Sequence, residues 1–340
     1  MTPDTASTPL TANSAALIAA RDAAVVCDAT PLAVLAIAGP DAATFLQGQL
    51  SNDVKALAPD ACQYTSFNSP KGRMLANFVL WKEGDAEFRA LLPADIAEPV
   101  RKRLSMYVLR SKVTVADVSA ETVRFGIGGP TAATAVRAAL GAAPALFGIL
   151  RHEGVAVLGL PGPRFVVVAP KATAAGTRET LLRQAMPAPF SVWQWLTIRA
   201  GVPVVTATTQ DAFVAQTANW DALFGIDFQK GCYTGQEIIA RMRYLGRLKE
   251  RLYAFHADAD LASGARLYSA TFGEQPCGTV VNAAPAPGGG CDLLAVVQIA
   301  AAESGDVRAD APNGSLLARL PLPYAVPAAQ APRDRVGPAS

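Results

Sequence analysis

The feature that most constrains this chain is a change of period near residue 248. Upstream, short apolar runs with strand character alternate with runs in which apolar residues recur every three or four positions. Downstream, RLYAFHA, GARLYS, GTVVNA, LLAVVQIA and SLLARL are short strand-like runs separated by PAPGGG and PNG. The chain must therefore join a mixed α+β part to an all-β part, the latter a barrel or sandwich. Its 340 residues also exceed what one hydrophobic core usually serves, so two or three domains are expected.

The upstream part reads as two units. LAVLAI at 32 to 37 is a strand closed by Gly39-Pro40-Asp41, with Asp41 as N-cap of a helix burying Ala42, Phe45, Leu46 and Leu50. Hairpins follow: QYTSFN, the turn SPKGR, MLANFVLW, the turn EGD and EFRALL. Residues 94 to 110 are a helix with a basic surface, and 112 to 118 return as a strand. A second unit opens near residue 120, where VRFGIGG, TAATAVRAALG, VAVLGL, RFVVVAP and a helix at 172 to 185 give the order βαββα. FSVWQWLTIRA at 190 to 200 is a helix stopped by Gly201-Val202-Pro203. The expected units are 1–118 plus 190–245, an inserted unit at 119–189, a C-terminal unit at 246–325 and a disordered tail at 326–340. The first gathers pieces on both sides of the second.

Several functions are excluded. No run of 18 apolar residues occurs, and 293 to 302 is interrupted by Gln298, so no membrane span is expected. The start has no positive n-region and carries Asp4 early, unlike a signal peptide. The five cysteines, Cys27, Cys62, Cys232, Cys277 and Cys291, form no CxxC and are odd in number, which points to a reducing cytoplasm. His152 and His256, the only histidines, have no partner at metal-ligand spacing. GxSxG, GxGxxG and the P-loop pattern do not occur, and no cysteine spacing could hold an iron–sulfur cluster. A net charge of +2 does not identify a nucleic-acid binder. Residues 230 to 251 do concentrate Lys230, Arg241, Arg243, Arg247, Lys249 and Arg251 against Glu237 and Glu250. That excess reads either as an anion site or as a solvated helix face followed by a basic edge strand.

The segment FQKGCYTGQEIIARMRY at 228 to 244 is the candidate site. Thr234-Gly235-Gln236-Glu237 fits a capping box ahead of an amphipathic helix, a structural role for Thr234 and Glu237. Cys232 lies two residues before that cap, where free amides and the helix dipole favour an anion, with Lys230 near in sequence. Such surroundings stabilise a thiolate; the competing reading is an inert buried thiol.

KGCYTGQE resembles the signature of the YgfZ-type folate-binding proteins, relatives of the glycine-cleavage T-protein, an aminomethyltransferase. FLQGQLSNDV at 45 to 54, SPKGRMLANF at 69 to 78, WLTIRAGVP at 195 to 203, FVAQTANWD at 213 to 221 and GRLKERLY at 246 to 253 are similar to further family segments. The resemblance spans residues 32 to about 325. It implies an α+β fold of three domains around a central opening: two α+β domains and a C-terminal antiparallel β-barrel. It further implies tetrahydrofolate or a derivative bound in the opening, with no stably bound iron–sulfur cluster. Partners would be iron–sulfur enzymes, including the one that thiomethylates tRNA, rather than tRNA itself or a membrane, and the chain would be a monomer. The family's functional cysteine falls on Cys232, a possible transient cluster ligand, with Lys230 as its catalytic companion and Tyr233, Gln236, Glu237 and Arg241 as cofactor-binding positions around it. Folate-contacting positions fall on Trp193, which also reads as helix core with Leu196 and Ala200, and on Leu32, where some relatives carry tryptophan. The alternative is a true aminomethyltransferase. Its hairpin ends in an acidic pair serving the folate amine; aligned on Gly72, that pair becomes Ala76-Asn77, and neither can supply a charge.

Overall fold

A computed structural model describes residues 8–244 and 248–327. Gly246 and Arg247 of GRLKERLY, and the tail from residue 328, lie outside the described residues. Three sheets organise the rest. The first runs Cys62–Asn68, Met74–Gly84, Glu87–Pro93, Leu32–Ala38 and Thr114–Asp117, each neighbour antiparallel. Alternation is weak in these strands because both faces are covered; in Met74–Gly84 the first eight residues are all buried.

The second sheet is ordered Met186–Ala188, Val25–Asp28, Thr122–Gly128, Arg164–Pro170, Val155–Leu160 and Ile149–His152. Its helices Ala132–Leu140 and Ala174–Leu182 cover one face, as the βαββα order requires. Two strands come from outside the inserted unit or its clear patterns: Val25–Asp28 belongs to the first 118 residues, and Ile149–His152 is a half-exposed strand of four residues with no alternation to mark it. The helix Thr8–Asp22, which buries Ala16, Leu17 and Ala20, was likewise unmarked in the sequence.

The third sheet is ordered Arg308–Ala309, Arg266–Tyr268, Gly278–Pro285, Cys291–Gln298, Glu250–Ala257 and Ala318–Leu320, antiparallel throughout. The Ala309 amide donates to Ser315 O at 3.0 Å and the Leu317 amide to Val307 O at 2.8 Å. These bonds tie one edge to the segment entering the other edge, curling the sheet into a half-barrel. The whole is mixed α+β with a C-terminal antiparallel half-barrel, as expected.

Helix Phe190–Arg199 holds the sheets together. It packs on Gly278–Pro285 and Cys291–Gln298 of the half-barrel and on Thr122–Gly128 of the second sheet. The glycines of FGIGG make this possible: a Cβ on Gly126 would lie 2.5 Å from the Trp193 ring, and one on Gly128 would lie 2.6 Å from Leu196.

Two local expectations need correcting. Asp41 does precede the helix Ala42–Gln49, but its carboxylate accepts from the Lys112 amide at 2.7 Å and does not cap. The basic helix ends at Met106 rather than residue 110, because the chain turns out through Leu109 at φ +44°.

Candidate functional site

A cavity of about 360 Å³ lies where the three sheets meet. Leu32, Phe78 and Leu91 come from the first sheet, Leu160, Arg164 and Val166 from the second, and Asn282 and Ala283 from the half-barrel. Phe190, Trp193 and Thr197 of the connecting helix close one wall, and Trp220 closes another. The walls are mainly aliphatic and aromatic, the character of a site for a flat organic molecule.

Its polar groups are few and most are engaged. Asn77 donates to Pro203 O at 2.7 Å and accepts from the Val205 amide at 2.9 Å. Asn282 accepts from the Val204 amide and donates to Val204 O, at 2.8 and 2.9 Å. The segment 203–205 is thus gripped by one asparagine from each side. Asp95 accepts from the Ala207 amide just beyond.

Trp193 is buried and lines the cavity: one face packs on Gly126, and the Arg164 guanidinium lies 5.3 Å from the ring centroid. Thr197, one turn on, donates to Trp193 O at 2.8 Å and accepts from Arg164 Nη1 at 2.7 Å. Of the six positions expected to bind the cofactor, Leu32 and Trp193 line this cavity, whereas Tyr233, Gln236, Glu237 and Arg241 do not.

Residues 230 to 241 do not line it. They form a second locality around the tip of the SPKGR hairpin. Helix Gln236–Tyr244 begins with the Ile239 amide donating to Gly235 O, so Gly235 is the cap, one residue later than the capping box requires. Glu237 is exposed. Gly235 sits at φ +81°, and a Cβ there would lie 2.5 Å from Ser69 O and 3.0 Å from Gly72 Cα. Gly72, at φ +70°, has the same close approach to Ile238, 3.0 Å from its own imagined Cβ. The two motifs carry glycine because their backbones touch there.

Lys230 is buried, and its Nζ donates to Gln47 O, Leu50 O and Asn52 O at 2.8, 2.6 and 2.9 Å. All three ammonium protons are accounted for by the helix end and loop at 47–52, not by the thiol. Burial lowers this lysine to about 8. The ammonium also lies 5.0 Å from the centroid of Tyr233, whose phenol burial pushes up. Cys232 is exposed, Gln236 half-buried and Arg241 exposed.

Part of the basic excess is structural as well. Arg251 pairs with Asp221 at 2.8 Å and donates to Gln216 O, while Arg243 lies over Phe228 at 3.9 Å. Arg241 and Lys249 are exposed, and Arg247 lies outside the described residues. The loop motif FVAQTANWD acts as a clasp: Gln216 donates to Ile239 O of the cysteine-bearing segment's helix, and Asn219 to Leu252 O of the half-barrel. Among the described residues no group of three or more His, Cys, Asp or Glu side chains could hold a metal ion. No described helix is long and apolar enough to cross a membrane.

Sequence reasoning missed Arg164 and Tyr64. Arg164 opens the otherwise apolar run RFVVVAP, and a charge heading a buried strand was the available signal.

Residues 10–162 match the family described as GCVT N-terminal domain. The glycine cleavage system aminomethyltransferase T from Bartonella henselae shares the fold with a TM-score of 0.73, at 16% identity over 90% of this chain and 87% of that one. Fold and domain together define a protein of the T-protein-like class. Within it, the tRNA-modifying protein YgfZ of Serratia proteamaculans (strain 568) is 32% identical over 304 residues, 86% of this chain and 90% of its own length. The YgfZ protein of Shigella sonnei (strain Ss046) is 34% identical over 230 residues, 67% of this chain and 70% of its own. The chain belongs to the YgfZ family.

Proposed function

We propose that this chain is a cytoplasmic folate-binding factor that maintains iron–sulfur enzymes, and through them tRNA methylthiolation, by way of Cys232. The observation that carries the folate half is the cavity between three sheets, with Trp193 and Leu32 on its wall. Aromatic walls, about 360 Å³ of room and a buried cation suit a bicyclic heterocycle carrying an acceptor. Relatives named as tRNA-modifying proteins favour the second half.

Cys232 acts at a distance from that ligand. From Gly72, against which the cysteine segment packs, to Asn77 on the cavity wall is five residues of nearly extended chain, on the order of 15 Å. The exposed thiol serves a partner protein, as a transient ligand for a cluster iron carried as cargo. Tyr233, Gln236, Glu237 and Arg241 shape the thiol's surroundings in this reading, not the folate site.

The aminomethyltransferase alternative loses support at the hairpin. Ala76 is fully buried, and both polar atoms of Asn77 are engaged by the segment 203–205. Tetrahydrofolate titrated against the full chain should quench tryptophan fluorescence saturably, and Trp193→Ala should weaken the binding. Absence of saturation in the unaltered chain would remove folate from the function.

A further inference from the structure

Three arginines of the described chain are buried, and they differ in how their charge is met. Arg251, 5% exposed, pairs with the Asp221 carboxylate. Arg124, 6% exposed, donates to the carbonyls of Ser119, Thr122 and Thr30. Arg164, 2% exposed, has neither arrangement and opens on the cavity.

A guanidinium has five N–H donors. Arg164 uses Nε on Pro161 O at 2.8 Å, Nη1 on Thr197 Oγ1 at 2.7 Å, and Nη2 on Tyr64 Oη at a long 3.5 Å. Two donors on the outer nitrogens are left over. The titratable group that it feels is the Tyr64 phenol, not a carboxylate, and burial presses its pKa down. A buried cation without a counter-charge is costly, and the cost falls if the cavity's occupant brings an acceptor.

Which end of the occupant meets it follows from the depths of the lining groups. Asp95 and Gln194, at the rim, are exposed; Arg164, Tyr64, Trp193 and Trp220 are buried. A charged tail stays at the rim in water, and the ring system reaches the guanidinium.

On the folate reading above, we propose that Arg164 is the specificity-determining residue of this cavity, selecting a 4-oxo pteridine over a 4-amino one. The carbonyl oxygen of the oxo ring accepts from the unused N–H groups. An amino group at the same ring position turns donors toward donors, and protonation of that ring would add a second positive charge. Thr197 and the Trp193 ring hold the guanidinium in place for this choice.

Folic acid and aminopterin share their tail and ring skeleton and differ at this ring position, oxo against amino. Titrated separately against the full chain, folic acid should bind more tightly by roughly tenfold or more, the usual effect of a charged hydrogen bond. Arg164→Met, checked by circular dichroism, should weaken folic acid by a similar factor, leave aminopterin within about threefold and so abolish the preference. Should that variant not fold, the comparison in the unaltered chain still decides. Equal binding of the two there overturns the role of Arg164 while the folate reading survives. A preference that persists in folded Arg164→Met overturns it too. Saturation by neither compound takes down the folate reading and this inference together.

Discussion

Cys232 is the one exposed thiol of five. Burial pushes Cys27 and Cys62 up to about 12 and Cys277 to about 11, and raises Cys291 as well. Iodoacetamide at pH 8 should therefore modify a single thiol per native chain and five after denaturation, counted by mass spectrometry. A second fast-reacting thiol in the native chain would contradict this. Cys232→Ala should abolish restoration of tRNA methylthiolation in cells lacking the family member, with stability changed by about 0.5 kcal/mol at most. Lys230 carries the opposite expectation. Lys230→Met strands three carbonyls of the segment 47–52 and should cost roughly 2 kcal/mol or more in urea unfolding. The sequence placed this lysine beside the thiol because they are two residues apart. Its actual partners lie some 180 residues away, where no local pattern can reveal them.

At the scale of elements most of the fold was legible, since strand and helix periods follow from which faces are buried. Helix Phe190–Arg199 and the hairpin Cys62–Asn68 with Met74–Gly84 stand where the apolar spacing put them. What escaped were elements whose sequence signal is weak: Ile149–His152 is half-exposed, and Val25–Asp28 is only four residues long. The capping box was misread by one position because Thr234 and Gly235 both suit a cap; the close approach to the hairpin decides for glycine. Gly235→Ala should then lower stability by about 1–3 kcal/mol, from the left-handed backbone and the 2.5 Å contact with Ser69 O. Gly231→Ala, whose added methyl meets nothing within 4 Å, should be close to neutral in the same thermal melts. Equal effects of the two substitutions would mean that the two backbones do not meet as described.

For the molecule as a whole, the order of its parts was readable from the change of period near residue 248, but the cavity was not. Its wall is assembled from all three sheets, so its members are scattered from Pro31 to Ala283, and only Leu32, Asn77 and Trp193 were reached, through a resemblance. Asn77 illustrates the difference. As a sequence position it records a missing acid; in the fold its amide bridges Pro203 O and the Val205 amide. Asn77→Asp sets a carboxylate against Pro203 O and should destabilise by about 1–3 kcal/mol without creating aminomethyl transfer, read by calorimetry and by formaldehyde release. Gain of that activity would show that this segment yields easily to an acid.

The strand Met74–Gly84 is laced on both edges, to Cys62–Asn68 and to Glu87–Pro93. Sliding it by a single step would turn each of its side chains to the opposite face, so its register is fixed. One end abuts the sulfur-bearing turn and the middle abuts the chamber. The chamber and the sulfur-bearing turn are therefore held at a set separation by one strand paired along both sides.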